Sequence, residues 1–231
     1  MAAAIADSPP SADRSWFIVQ RWQQYEGEVR ANLLRIGAIG VFYLLHLWNF
    51  AASQGRLPAW GLLQLSEPGT MDRRFHLLAT LLALAWGSGA AAVHLCLRHQ
   101  VFPRWISAAS TLLDLVMLTS VLAIADGPRS PLVAGYFLVI VLAGLRFNLA
   151  VVRLAAAGAA IGYVGVLGVA KWPATFGRDP ALDLRVSRYE ELVILVALAL
   201  TGVFVGQLVR RTQRLAERFT QPAGLSWKTS P

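Results

Sequence analysis

Six long apolar runs, separated by short segments that contain most of the charged residues, constrain this chain more than any other feature of its sequence. A helix needs about 20 mostly apolar residues to cross the core of a bilayer, because each residue adds about 1.5 Å of rise. Six such helices occupy most of the 231 residues and leave room only for loops and two modest tails. The sequence therefore predicts an all-α, polytopic membrane protein with six transmembrane helices.

The boundaries of the predicted elements lie where charged and turn residues interrupt the apolar runs. The spans are predicted at residues 33–53, 75–97, 106–125, 132–147, 149–170 and 192–209. The fourth span is short, and a tight turn around Phe147 separates it from the fifth. The predicted regions are a cytoplasmic tail at 1–31, the six-helix transmembrane domain at 32–209 and a basic cytoplasmic tail at 210–231.

An amphipathic helix is predicted in the first tail, because apolar residues recur there at helical spacing. Its apolar positions are Ile18, Trp22, Tyr25 and Val29. Two interpretations stay open: the helix lies on the inner membrane surface or against a partner, or it is an ordinary lead-in to the first span.

The distribution of basic residues predicts that both termini face the cytoplasm. Six spans place thirteen of the 21 Lys and Arg residues on the side of the termini and eight on the opposite side. Cytoplasmic loops of membrane proteins contain the excess of Lys and Arg. The formal net charge of +8 is thus explained by topology and by attraction to anionic membrane lipids, and not by binding to nucleic acid. The expected location is the inner (cytoplasmic) membrane of a bacterium.

Asp114 is the strongly ionisable residue that lies deepest in a predicted span. A carboxylate inside a membrane costs free energy and is a functional-site hypothesis by default. Arg146, at the cytoplasmic end of the fourth span, is its predicted partner. A structural Asp–Arg pair, or a protonated Asp114 bonded to neighbouring hydroxyls, competes with a sensing or proton-coupled role.

Four further polar side chains are candidates inside the membrane. They are His46, Asn49, His76 and Tyr136. The two histidines lie at similar depth, so they are expected to hydrogen-bond across helices, although a metal or a pH response is the alternative. No nucleophile–base pair, phosphate loop or metal-ligand spacing occurs in the sequence. We therefore expect no catalytic residue, no metal and no cofactor.

Small residues four apart predict two places of close helix packing. They are Gly158 with Gly162 in the fifth span and Gly202 with Gly206 in the sixth. The first pair is expected to pack within the chain, whereas the sixth span is the better candidate for a dimer contact. The sixth helix is expected to continue into the cytoplasm and to bind a partner through Arg210, Arg211, Arg214, Leu215, Arg218 and Phe219.

Residues 30 to about 165 resemble the six-helix membrane input domain that precedes effectors in bacterial signalling proteins. The segments that show the resemblance are residues 32–43, 112–115, 126–132 and 136–147. In that family the effectors include class III adenylyl cyclases, histidine kinases and Ser/Thr kinases. The resemblance implies a sensor whose last span leads through a helix into the effector. The chain reaches Pro231 without such a domain, so it is expected to act on a partner.

Three functions stay open at this point. The first is a non-enzymatic input or scaffold module that transmits a signal through the basic C-terminal helix. The second is an accessory subunit of a larger membrane complex, respiratory or photosynthetic. The third is a small transporter, which is less favoured because spans 1–3 and 4–6 show no convincing repeat. The expected partners are membrane lipids, a second copy of the chain or a membrane complex, and a cytoplasmic effector.

Overall fold

A computed structural model describes residues 11–56, 73–99, 101–103, 105–176 and 184–220, and within these ranges it describes the side chains of Trp22 and of the residues from Gln24 to Leu215. Over these residues the chain is helical and contains no strand. The α-helices of the described residues are α1 (Ser11–Ser53), α2 (Arg73–Arg98), α3 (Ile106–Ile124), α4 (Ala134–Gly144), α5 (Leu149–Lys171) and α6 (Arg188–Thr220). Short 3-10 turns precede α4 at Gly127–Arg129 and Pro131–Val133, and another follows α5 at Pro173–Phe176.

Five helical segments of the described chain are long and apolar enough to cross a membrane. They are Gln24–Ser53, Arg73–Arg98, Ile106–Ile124, Leu149–Lys171 and Arg188–Leu215. The prediction of an all-helical, multi-pass membrane protein agrees with these segments. The fourth predicted span is different, because α4 has 11 residues and is about 16 Å long, against about 30 Å for a bilayer core.

Helix α1 joins two elements that the sequence pattern separates. It runs for 43 residues without a break, so the predicted amphipathic helix and the first span form one helix. Trp22 is exposed, and the hydroxyl of Tyr25 donates a hydrogen bond to the carbonyl of Leu97 at the end of α2. The outer parts of the two predicted tails, residues 1–10 and 221–231, lie outside the described residues.

Helices α3, α4, α5 and α6 enclose the main apolar core. Its centre is formed by fully buried side chains on these helices, among them Leu122, Tyr136, Ile140, Tyr163 and Leu198. Helix α1 packs mainly on α2, and α2 packs on α3. The chain is therefore a bundle of α3–α6 flanked by the α1–α2 pair.

We name the two ends of this bundle after one residue that lies at each of them. The Arg146 end contains the α4–α5 turn, the end of α2 and residues 207–220 of α6. The His46 end contains the far end of α1, the α3–α4 connection and the start of α6. At that end Arg129 donates a hydrogen bond to the carbonyl of Arg185, 3.2 Å away.

The glycine pairs predicted from the sequence both lie at contacts inside the chain. A Cβ at Gly158 would meet Leu115 of α3, and a Cβ at Gly202 would lie 2.5 Å from the Cβ of Ala156 in α5. A Cβ at Gly206 would be 3.5 Å from Leu149. The packing role is thus confirmed. The glycines of the sixth span contact α5, and a dimer contact through that span stays a prediction.

Candidate functional site

A buried ion pair joins α1 to the α4–α5 turn at the Arg146 end. The Nε of Arg146 lies 2.9 Å from Oε2 of Glu28, and the two side chains are 2% and 0% exposed. Nη1 of Arg146 also donates to the hydroxyl of Thr111 and to the carbonyl of Ser107 in α3. Ser110 donates to the second carboxylate oxygen of Glu28 at 3.1 Å. This guanidinium therefore connects α1, α3 and the turn before α5.

Close backbone approach at Gly27 makes this ion pair possible. A Cβ at Gly27 would overlap the carbonyl oxygen of Leu145, at the end of α4. Only a residue without a side chain lets α1 come this near to the turn. Glu28, the next residue, then reaches Arg146.

A second buried ion pair joins α1 to α3. The Nε of Arg35 lies 2.7 Å from Oδ1 of Asp114, and their side chains are 2% and 3% exposed. The indole N–H of Trp86 in α2 donates to the same oxygen at 2.9 Å. Nη1 of Arg35 donates to Oδ1 of Asn32, whose amide in turn donates to the carbonyl of Ala90. Three helices thus meet at Asp114.

We name Glu28, Arg35, Asp114 and Arg146 together the charge cluster. It holds two acids and two bases, so its formal charge is zero. Four buried charges that pair in this way avoid the large cost of an isolated charge in a low-dielectric interior. A change that separates one pair would leave a charge uncompensated, so the cluster favours one arrangement of α1, α2, α3 and the α4–α5 turn.

Two nitrogen atoms of the charge cluster keep unused donors. Within the described part of the chain, nothing accepts a hydrogen bond from Nη2 of Arg35 or from Nη2 of Arg146. Buried donors without an acceptor are uncommon, because each costs about 1–3 kcal/mol. An unused donor at a buried position is therefore a reason to look for a ligand or water beside it.

An apolar cavity of about 120 Å³ begins beside Arg35 and Asp114. Its walls are the facing sides of α1, α2, α3 and α4, and it extends to His46 and Phe75 at the other end of the bundle. Arg35 and Asp114 are the charged residues of its wall. The cavity is partly open.

His46, which lines the far part of this cavity, pairs with His76. Nε2 of His46 lies 3.1 Å from Nδ1 of His76, and the ring of His76 stacks on Phe50 with centroids 3.9 Å apart. The His46 ring also meets Phe75 edge-on. Among the described residues no group of three or more His, Cys, Asp or Glu side chains could hold a metal ion.

The α4–α5 turn connects the charge cluster to the extension of α6. Phe147 has a φ of 50°, a left-handed conformation that costs a non-glycine residue about 1–2 kcal/mol. Its carbonyl accepts a hydrogen bond of 2.7 Å from the side-chain amide of Gln213 in α6. Asn148 then caps α5 by accepting from the N–H of Ala150. Residue 147 thus lies between Arg146 and the α6 extension.

The structure brings together some of the predicted site residues and separates others. Asp114 and Arg146 both belong to the charge cluster, but the predicted ion pair between them is wrong: Asp114 pairs with Arg35. On α3, Arg146 contacts Ser107 and Thr111, and Thr111 lies one helical turn before Asp114; Glu28 pairs with the Nε of the same guanidinium. The expected hydrogen bond between the two histidines is present.

The remaining predicted residues stand apart from the charge cluster. Asn49 donates to the carbonyl of Leu45 in its own helix, and the hydroxyl of Tyr136 hydrogen-bonds with Thr119 at 2.8 Å. The continuation of the sixth helix is confirmed as far as Thr220. The predicted partner-binding residues with described side chains are all exposed: Arg210, Arg211, Arg214 and Leu215. The side chains of Arg218 and Phe219 lie outside the described residues.

Glu28, Arg35 and Trp86 are site residues that the sequence pattern did not indicate. One signal does exist: residues 28, 32 and 35 follow the spacing of one helix face. Polar residues at that spacing in a lead-in helix are equally typical of a solvated surface, so the signal is weak without the fold.

No family model, no curated protein and no solved structure matches this chain. The site must therefore be interpreted from its own geometry.

Proposed function

We propose that this chain is a non-enzymatic membrane input module. A change in what the cavity holds alters the contacts within the charge cluster. That change shifts the extension of α6, which acts on a cytoplasmic effector. In this proposal the chain spans a bacterial inner membrane six times, with both termini in the cytoplasm. The Arg146 end then faces the cytoplasm, and the His46 end faces outward.

The hydrogen bond between Gln213 and Phe147 is the observation on which the proposal depends. It joins the helix that leaves the bundle to the turn that holds Arg146, at 2.7 Å. Because Phe147 is held in a strained conformation, the turn has an energetic reason to change shape when its hydrogen bond is lost. A shift of Arg146 would then change the position of α6 through this hydrogen bond.

The exposed charges at the Arg146 end support the proposed topology, and the short α4 is compatible with it. Arg210, Arg211 and Arg214 are exposed at the Arg146 end, as the excess of basic residues on the cytoplasmic side requires. Helix α4 is short, but the apolar helical segment that includes its preceding 3-10 turn runs from Pro131 to Gly144. Helices α3, α5 and α6 pack against α4, so α4 need not itself span the full thickness of the bilayer core.

Two matched glutamine variants test the path from the turn to α6. Gln213→Leu removes the donor to Phe147, whereas Gln207→Leu changes an exposed glutamine two turns earlier on the same helix. A spin label at position 214, in a Cys96→Ser background, reports the position of the extension. We expect a shift in the distance between this label and one at position 103 for Gln213→Leu only. Equal spectra for both variants would refute the coupling.

Truncation after Arg211 tests the contact with a partner. The shortened chain keeps two of the basic residues that fix topology but lacks Gln213 and everything after it. We expect it to insert normally and to lose the protein that co-purifies with the full chain in mild detergent. Insertion with every partner retained would contradict the proposal, because the extension would then not be the contact.

A further inference from the structure

The cavity follows one face of helix α1 along most of the bundle. Arg35, Ile39, Phe42 and His46 line it, at the spacing of positions that share one side of a helix. Eleven residues separate the first from the last, which corresponds to about 16 Å along the helix. The cavity is therefore long and narrow, with a charged end and a histidine end.

The wall chemistry requires an apolar occupant. Apart from Arg35, Asp114 and a few aromatic or hydroxyl groups, the wall consists of aliphatic side chains and Phe rings. A cavity of about 120 Å³ is similar in size to the roughly 150 Å³ that accommodates one benzene molecule. One ring with its carbonyl oxygen fits this space, and the alkyl chain of a longer molecule would extend through the partly open part of the wall. The same partly open wall would give such a molecule a way in.

The charged end adds one polar requirement. Arg35 is 2% exposed and lines the cavity, and no described residue accepts a hydrogen bond from its Nη2. The positive charge of Arg35 is already balanced by Asp114 at 2.7 Å. An anionic ligand would leave the neutral charge cluster with an uncompensated negative charge, at a large cost in this interior. A neutral group with a hydrogen-bond acceptor satisfies the donor without that cost.

We propose that the cavity binds a neutral, membrane-soluble molecule with a ring-sized apolar body and a carbonyl-type oxygen that accepts a hydrogen bond from Nη2 of Arg35. Its role as an input signal rests on the proposed function, whereas its binding can be measured separately. The acceptor end lies beside Arg35, and the apolar remainder extends along α1 toward His46. Loss or gain of this molecule changes the surroundings of both Arg35 and Asp114.

Three probes of similar size distinguish the polar requirement. They are octanophenone, its hydrocarbon analogue octylbenzene, and the anion 4-heptylbenzoate. Radiolabelled octanophenone is equilibrated with the full chain in phosphatidylcholine nanodiscs, and protein-free nanodiscs give the background. We expect saturable binding that octylbenzene and 4-heptylbenzoate displace at concentrations at least tenfold higher than unlabelled octanophenone, because neither offers the neutral acceptor.

Two alanine-to-phenylalanine variants on α2 locate the binding. Ala83 lines the cavity, whereas Ala85 is exposed on the outside of the same helix. Ala83→Phe fills the cavity and should lower octanophenone affinity at least tenfold, and Ala85→Phe should leave it within twofold. A folded double variant, Arg35→Leu with Asp114→Leu, should bind octanophenone and octylbenzene equally.

Three outcomes overturn the binding site, and a fourth overturns only its role as an input. Equal binding of ketone and hydrocarbon to the unchanged chain means that bilayer acyl chains fill the cavity without selection. Preferential binding of 4-heptylbenzoate means that the site takes anions. Equal affinity in Ala83→Phe and Ala85→Phe places the binding elsewhere. Saturable ketone binding that leaves the label at position 214 unmoved keeps the site but refutes its role as the input of the module.

Discussion

The ion pair between Arg35 and Asp114 permits a quantitative test of the charge cluster. Asp114→Leu would leave the guanidinium of Arg35, which is 2% exposed, without its counter-charge. Removing one partner of a buried pair costs about 3–5 kcal/mol. Asp114→Asn keeps an oxygen for Arg35 and Trp86 but loses the charge, so we expect about 1.5–3 kcal/mol. These values are large against the total stability of a domain, about 5–15 kcal/mol.

The double variant separates the attraction between Arg35 and Asp114 from the free-energy cost of removing their charges from water. Arg35→Leu combined with Asp114→Leu removes both charges and leaves the indole N–H of Trp86 without its acceptor and Oδ1 of Asn32 without its donor. Replacing both members of a buried pair by apolar residues is often neutral in cost. We therefore expect the double variant to be more stable than Asp114→Leu by about 2 kcal/mol, even though it contains one more substitution.

The surface ion pair of α1 is the matched control. Arg30 and Glu26 are 2.5 Å apart in the same helix, but their side chains are 68% and 49% exposed. A double-mutant cycle on this pair should give a coupling of less than about 1 kcal/mol. Equilibrium unfolding of each variant in detergent provides all the free energies. The reasoning fails if Asp114→Leu unfolds like the unchanged chain, or if both cycles give the same coupling.

Three further predictions concern packing, hydroxyls and topology. Gly162→Ala places a Cβ 2.7–2.9 Å from the hydroxyls of Thr119 and Tyr136, so it should destabilise the chain by about 1–3 kcal/mol in thermal unfolding. Its control, Gly165→Ala, meets nothing within 4 Å and should be neutral in the same measurement. Tyr136→Phe should cost about 1 kcal/mol by the same measurement, while Tyr163→Phe, which removes a buried hydroxyl that no described residue bonds, should cost nothing. A reporter fused at Pro128 should lie outside the cytoplasm, and a cytoplasmic location would disprove the six-span topology.

The starts of α3 and α5 were predictable because they depend on local sequence. Apolar runs end where charges begin, and the observed starts of α3 and α5 coincide with the predicted ones. The tight turn before α5 was also predictable, because Asn148 can cap a helix without help from distant residues. The unbroken course of α1 was not, since a lead-in helix and a surface helix have the same apolar spacing.

The partners in the charge cluster depend on tertiary structure and were therefore not predictable. Depth alone makes Arg146 a reasonable partner for Asp114, and Arg35 had a sufficient explanation as a topological charge. What decides the pairing is the approach of α1 at Gly27, which brings Glu28 to Arg146. A single sequence gives no sign that this glycine faces the α4–α5 turn. The contact of Glu28 with Arg146 thus depends on one close backbone approach.

The arrangement of the two ion pairs makes a joint response more reasonable than two separate ones. Asp114 and Thr111 lie one turn apart on α3, and they contact Arg35 and Arg146 respectively. Glu28 and Arg35 lie two turns apart on α1; Glu28 contacts Arg146 and Ser110, and Arg35 contacts Asp114. Sliding α1 along α3 would strain the Arg35–Asp114 pair directly. It would also move Glu28 relative to Arg146, whose guanidinium is held to α3 at Thr111. In the proposed function a ligand beside Arg35 would therefore change the geometry at Arg146 without touching it, and Phe147 is the next residue in the chain.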